Sequence, residues 1–133
     1  MANITTYLEN QLLEHSLGKT TFDKPTSTHA ALFTTSPSIS SAGVEVTNSN
    51  NYARQPITWG SALNGQISNS AVLTWSATGS WSGGSSITSI GIYDSGNYGS
   101  GNLLYYGPLS AALTMTNGDT FNISIGSLKV ALA

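Results

Sequence analysis

Apolar and polar residues alternate with a period of two along most of this chain, and a helical period occurs once. Over residues 5–17, Leu8 and Leu12 share a face with either Tyr7 or His15, and Leu13 and Leu17 widen the stripe, which predicts an amphipathic helix. Thr5 or Thr6 can cap it, Glu9 suits its positive end, and Gly18 is a natural stop. Residues 19–28, broken by Pro25, read as an extended connection. At 29–35, Ala31 and Phe33 alternate with Ala30 and Leu32, so both faces are apolar and a central strand is expected. Residues 36–54 carry little pattern beyond Val44 and Val46, which fit a short edge strand; the rest is a loop long enough to be a contact arm.

Alternation resumes with Ile57 and Trp59, then turns at Asn64-Gly65, a two-residue hairpin signal, and returns over 66–69. Ala71, Leu73 and Trp75 mark another strand, followed by a polar turn region that carries Trp81. Residues 87–108 read as two facing strands joined by a glycine-rich tip. Ile90 and Ile92 line one face of the first strand, and Leu103, Leu104, Tyr105 and Tyr106 make the second apolar on both faces. In the tip, Gly96, Asn97, Gly99 and Gly101 supply positive-φ positions. Ala111, Leu113 and Met115 follow, then a turn at 117–119, then Phe121, Ile123 and Ile125, and finally Leu128, Val130 and Leu132. Eight to ten short strands at this spacing predict one mainly β domain over 1–133: an antiparallel sandwich or jelly-roll-like barrel with one N-terminal helix. Residues 1–28 form its candidate interaction arm.

Composition narrows the function. Only 8% of the 133 residues are charged, against roughly 25% in ordinary soluble domains, and the net charge is −2. Serine, threonine, asparagine and glycine fill the deficit, giving a neutral surface suited to meeting other neutral surfaces in an assembly. Four basic residues are too few for a nucleic-acid footprint. The absence of cysteine excludes disulfides and thiolate metal sites. No stretch approaches the ~20 apolar residues of a membrane span, and the start lacks the pattern of a signal peptide. Neither nucleic acid nor membrane is therefore expected as a partner.

Candidate chemistry is sparse. His15 and His29 have no companion at metal-ligand spacing, so each reads as a structural histidine with its hydrogen bonds satisfied. No Gly-X-Ser-X-Gly elbow supports a serine nucleophile. Asp94 and Asp119 lie at turns, where aspartate has a local backbone role. Arg54 is the one arginine; its planar fork can tie carbonyls, or a carboxylate such as Glu45 or Asp94, into one arrangement. Tyr52, Trp59, Trp75, Trp81, Tyr93, Tyr98, Tyr105 and Tyr106 suit a β core or subunit interface, and also permit carbohydrate stacking. No enzymatic activity, metal or cofactor is expected.

Several blocks taken together resemble a family of small bacteriophage structural proteins of the tail fibre-like or virion type. They run LLEHSLGK, ALFTTSPS, NYARQPITWG, ISNSAVLTW, then ITSIGIYDSG with GNLLYYGPL, and NGDTFNISIGSLKVAL at the end. The segment SATGSWSGGSS departs from the family's shorter, more aliphatic version. The resemblance implies a virion component. With the neutral surface and the two candidate arms, it leads to the expectation of a capsid cement protein. Such a protein would sit as a homotrimer on the capsid exterior and brace the major capsid protein. The candidate assembly interface is Tyr7, Leu8, Leu12, Tyr52, Arg54, Trp81, Tyr98 and Tyr105. The alternative is a tail fibre or receptor-binding component that applies its aromatic surface and the tip at 97–101 to host glycans.

Overall fold

The computed structural model describes residues 3–132; Met1 and Ala2 of the expected arm, and Ala133, lie outside the described residues. Ten strands and one α-helix follow in order: β1 (Asn3–Ile4), α1 (Thr6–Ser16), β2 (Thr28–Thr35), β3 (Val44–Glu45), β4 (Gln55–Ile57), β5 (Gln66–Ser68), β6 (Leu73–Ser76), β7 (Ile87–Tyr93), β8 (Leu103–Leu113), β9 (Thr120–Ile123) and β10 (Lys129–Ala131). All pairings are antiparallel. The main sheet runs β1-β8-β7-β2-β3, with β4 on the same side of β2 as a second short neighbour. The pairs β10-β5 and β6-β9 make the opposing layer.

The core lies between these layers. Ala30 and Leu32 of β2 sit opposite Ile92 and Ile90 of β7, and these side chains pack with Leu73, Trp75, Ile123, Leu128 and Val130 from the other layer. The alternation in the sequence is thus the in-out pleat of a two-layer antiparallel sandwich. The second face of β2 is also buried, as its doubly apolar pattern predicts: Ala31 and Phe33 are inaccessible. Gly91 makes room there, since a Cβ on it would lie 2.7 Å from the Phe33 ring and 2.8 Å from Leu103.

Several local expectations are corrected. Strand β8 does not end with the 87–108 stretch but continues to Leu113; a register shift between the Ser89–Pro108 and Ile87–Leu113 pairs interrupts the ladder there and accommodates the proline. Ile125 does not extend β9; it is exposed in the turn toward β10. That turn is fixed by Asn69, a fully buried amide. Its Nδ2 donates to the carbonyls of Ala71 and Ser124, and its Oδ1 accepts from the Leu128 N–H. The long segment 36–54 is not a free arm. Its second half is fastened to the domain by Trp75 Nε1 donating to the Ala53 carbonyl, Trp81 Nε1 to the Asn50 carbonyl, and the Asn50 and Asn51 amides to the carbonyls of Ser80 and Ser76. Only the small hairpin around the Ser38–Ser41 bridge stands out, with Ile39 exposed at its end.

Helix α1 is joined to the sheet at its start. Asn3 and Ile4 pair with Tyr106 and Tyr105, and the Thr5 hydroxyl caps the helix by accepting from the Leu8 N–H while donating to the Leu103 carbonyl at 2.7 Å. Leu8 is buried, whereas Leu13 and Leu17 are exposed. We expect Trp75→Ala to cost ~3–5 kcal/mol of stability, as a large core truncation does. Leu17→Ala, 80% exposed, should change stability by no more than ~0.5 kcal/mol. Urea denaturation followed by circular dichroism measures both.

Candidate functional site

The polar feature that organises one end of the sandwich is Arg54, in the residue before β4. Its guanidinium is 1% exposed and faces the Glu45 carboxylate, 9% exposed, at the end of β3. Nε donates to Glu45 Oε2 at 3.0 Å and Nη2 to Oε1 at 2.8 Å, a bidentate pair. Nη1 donates to the carbonyls of Ser95 and Ser100, at 3.0 and 2.8 Å. The guanidinium also lies 3.7 Å from the centre of the Tyr93 ring, a cation–π contact. The expectation that Arg54 ties a carboxylate and carbonyls together holds with Glu45 as the acid. Asp94 instead closes the tip on itself, accepting from the Asn102 N–H and side-chain amide.

The Arg54 guanidinium therefore fixes the glycine-rich tip, 95–102, through the tip's backbone carbonyls. Gly101 is essential to that path. Its φ is +85°, and a Cβ there would lie 2.6 Å from both Asp94 Oδ1 and Ser95 Cβ. Tyr52 adds a second tie. Its hydroxyl donates to Glu45 Oε2 at 2.6 Å and accepts from the Leu32 N–H at 3.0 Å. Its ring packs edge-on against Trp81 on one side and Tyr98 on the other. Tyr98, on the tip, remains 41% exposed.

The electrostatics follow from burial. Burial opposes the charge on Arg54, and the hydrogen bonds and charge of Glu45 more than offset it, so the guanidinium holds its proton more firmly than usual. Burial, and then the Glu45 charge, push the Tyr52, Tyr93 and Tyr98 phenols above their ordinary range. Burial alone raises Tyr105.

Of the eight residues expected at an assembly interface, four serve the interior instead. Leu8, Tyr52, Arg54 and Trp81 are buried within the chain. The aromatic rings and the guanidinium are used to lock segments of this domain to each other, which leaves them no surface to offer. Tyr7 and Tyr98 are exposed and Leu12 and Tyr105 half-buried. The structure gathers Tyr52, Arg54, Trp81 and Tyr98 at the tip, whereas Tyr7, Leu8 and Leu12 lie on α1. The aspartates behave as turn residues: Asp119 accepts from the Thr116 N–H and hydroxyl, which holds its carboxyl below the usual carboxylate range. His15 accepts a hydrogen bond from the Phe22 N–H. His29 departs from expectation, because its buried Nδ1 has no hydrogen-bond partner. Among the described residues, no group of three His, Cys, Asp or Glu side chains is placed to hold a metal. A separate open groove of about 630 Å³ lies between the β8 bulge and β9–β10, floored by Ile90, Leu109, Phe121, Ile123 and Leu128.

A mainly antiparallel β-sandwich whose polar interior is spent on pinning one surface loop has the build of a structural or surface-contact module. The sequence matches the family described as "Podophage GP4 fiber I protein gp80" over residues 3–131. The chain belongs to that family, and is a bacteriophage virion structural protein. A search of curated proteins returns no match. The family's description names a fibre, in line with the alternative drawn from the sequence; the capsid placement has no counterpart in it.

Removing Glu45 should leave a buried, unpaired guanidinium. We expect Glu45→Gln to destabilise the fold by ~3–5 kcal/mol. Glu45→Gln with Arg54→Met should cost less than the sum of the two single changes, in a double-mutant cycle by urea denaturation. A second expectation concerns alkali. The Tyr52 phenol is raised above its unfolded value of 10.0, so its contribution to stability is intact below about pH 10 and is lost as the pH rises beyond it. Absorbance at ~295 nm should show Tyr52 ionising only on unfolding, with the same sub-unfolding amplitude in Tyr52→Phe.

Proposed function

We propose that this chain is a component of the phage tail fibre, and that the tip at 97–101 is its contact with the host surface. The family match over residues 3–131 carries the fibre placement. Three features support the tip. It is the loop the domain spends its buried ion pair to hold. It presents an aromatic ring, Tyr98, with neighbouring asparagine and serine groups, a combination suited to stacking on and hydrogen-bonding a sugar. And it is held before any ligand arrives, so little conformational freedom is lost on binding.

Antibody labelling of intact particles in negative-stain electron microscopy tests the placement. Label on the tail, with few copies per particle, is expected; label over the head, at a copy number near that of the major capsid protein, would establish cement instead. For the tip, Tyr98→Ser should leave the unfolding midpoint of the purified chain nearly unchanged and abolish adsorption of the assembled particle to host cells. Normal adsorption by such particles would move the contact elsewhere on the chain.

A further inference from the structure

The tip rests on a histidine that has no use for a second proton. We propose that a neutral His29 keeps the tip closed, and that acidification releases the tip by protonating it. His29 is near the start of β2, directly across from Tyr93, whose ring stacks on the Arg54 guanidinium. The tip backbone lies against the imidazole: a Cβ on Gly96 would fall 2.6 Å from Nε2 and 2.8 Å from Cδ2. On the ring's other nitrogen, Nδ1 is buried and makes no hydrogen bond.

In the neutral ring with its proton on Nε2, Nδ1 carries only a lone pair. A second proton converts Nδ1 into a buried donor with no acceptor, and makes the ring a cation in the neighbourhood of Arg54. The surrounding charged and titratable groups offer no relief. Glu45 on β3 is engaged through both oxygens by Arg54 and Tyr52. Asp94, following β7, is engaged through both oxygens by Asn102. Tyr93 and Tyr98 are neutral phenols held above their ordinary range. Arg54 keeps its proton.

Burial first, and then Arg54, hold the imidazole below its ordinary value of 6.5. The sign follows by linkage. An open state, with Nδ1 also in water, binds the proton more strongly than the closed state. Closure is therefore fully favoured above about pH 6.5 and weakens as the pH falls toward the lower closed-state value. His29 is half-buried, with Nδ1 on its covered side; bringing Nδ1 into water shifts the ring away from Gly96, so the loop 95–102 is the part that yields. The inference does not depend on where in the virion the chain sits.

Hydrogen-exchange protection of the peptide spanning 95–102, in the purified full chain at about pH 7.5 and about pH 5, tests it. After correction for intrinsic exchange, wild-type protection should fall on acidification by about tenfold for a closed ring depressed by about one pH unit, up to a ceiling of about thirtyfold set by the distance from 6.5 to pH 5. In His29→Gln it should stay flat. An equal fall in both proteins, or no fall in the wild type, would overturn the proposal. Should His29→Gln not fold, the wild-type ring itself decides by NMR. A His29 midpoint well under 6.5, with the Gly96 and Gly101 amides moving alongside, supports release. An ordinary midpoint, or a titration those amides ignore, refutes it.

Discussion

The structure depends on one desolvated cation. Taking a guanidinium out of water costs several kcal/mol even after relaxation, and this chain has few charges with which to offset it. Arg54 meets the cost with four hydrogen bonds and an aromatic face. Its partners come from β3 and from the stretch 93–100 that ends β7 and forms the tip, so satisfying one side chain ties together two segments distant in sequence. Tyr52 extends the constraint inward by joining Glu45 to the β2 backbone. A network of this kind tolerates no missing member, since each lost partner leaves a buried polar group unpaired.

That arrangement suits a fibre component. The proposed contact requires a loop that stays ordered without disulfides, and here the buried Arg54–Glu45 pair and the Gly101 turn hold it. The sparse charge of the rest of the surface lets neighbouring copies or partners approach without strong repulsion. The histidine beneath the tip adds a vulnerability of the same physical origin. Burial that strengthens the Arg54 pair also makes a second cation beside it unwelcome.

Much of the scaffold was legible because the relevant physics is local. Alternation at 73–76 marked the core-facing residues, the apolar runs at 29–35 and 87–93 marked the central strands, and the helix over 5–17 was announced by its stripe, its cap and Gly18. The roles of Asp94 and Asp119 were legible for the same reason, since a turn aspartate bonds backbone within a few residues. The site was half legible. Arg54 drew attention by its rarity, and its chemistry narrowed the partners to carbonyls and a carboxylate, but Glu45 and Asp94 were equivalent on paper. Trp81 and Tyr52, lying in polar, glycine- and asparagine-rich stretches, carried no periodicity, which left core and interface open and pointed to an assembly interface. Their burial comes from the 36–54 segment folding back onto the domain.

Residue pattern alone specifies a cysteine-free, mainly β chain with one helix, two-layer alternation and a turn-forming tip. Those are properties of neighbours along the chain, set by the period of two and by turn chemistry. Long-range packing sets which acid meets Arg54, that Asn69 binds two turns together, that β8 runs through Pro108, and that the His29 Nδ1 lies unpaired near Gly96. Each of these joins groups tens of residues apart, or turns on strand register. Register and long-range pairing are fixed by the packing of the whole domain, on which local pattern carries no information.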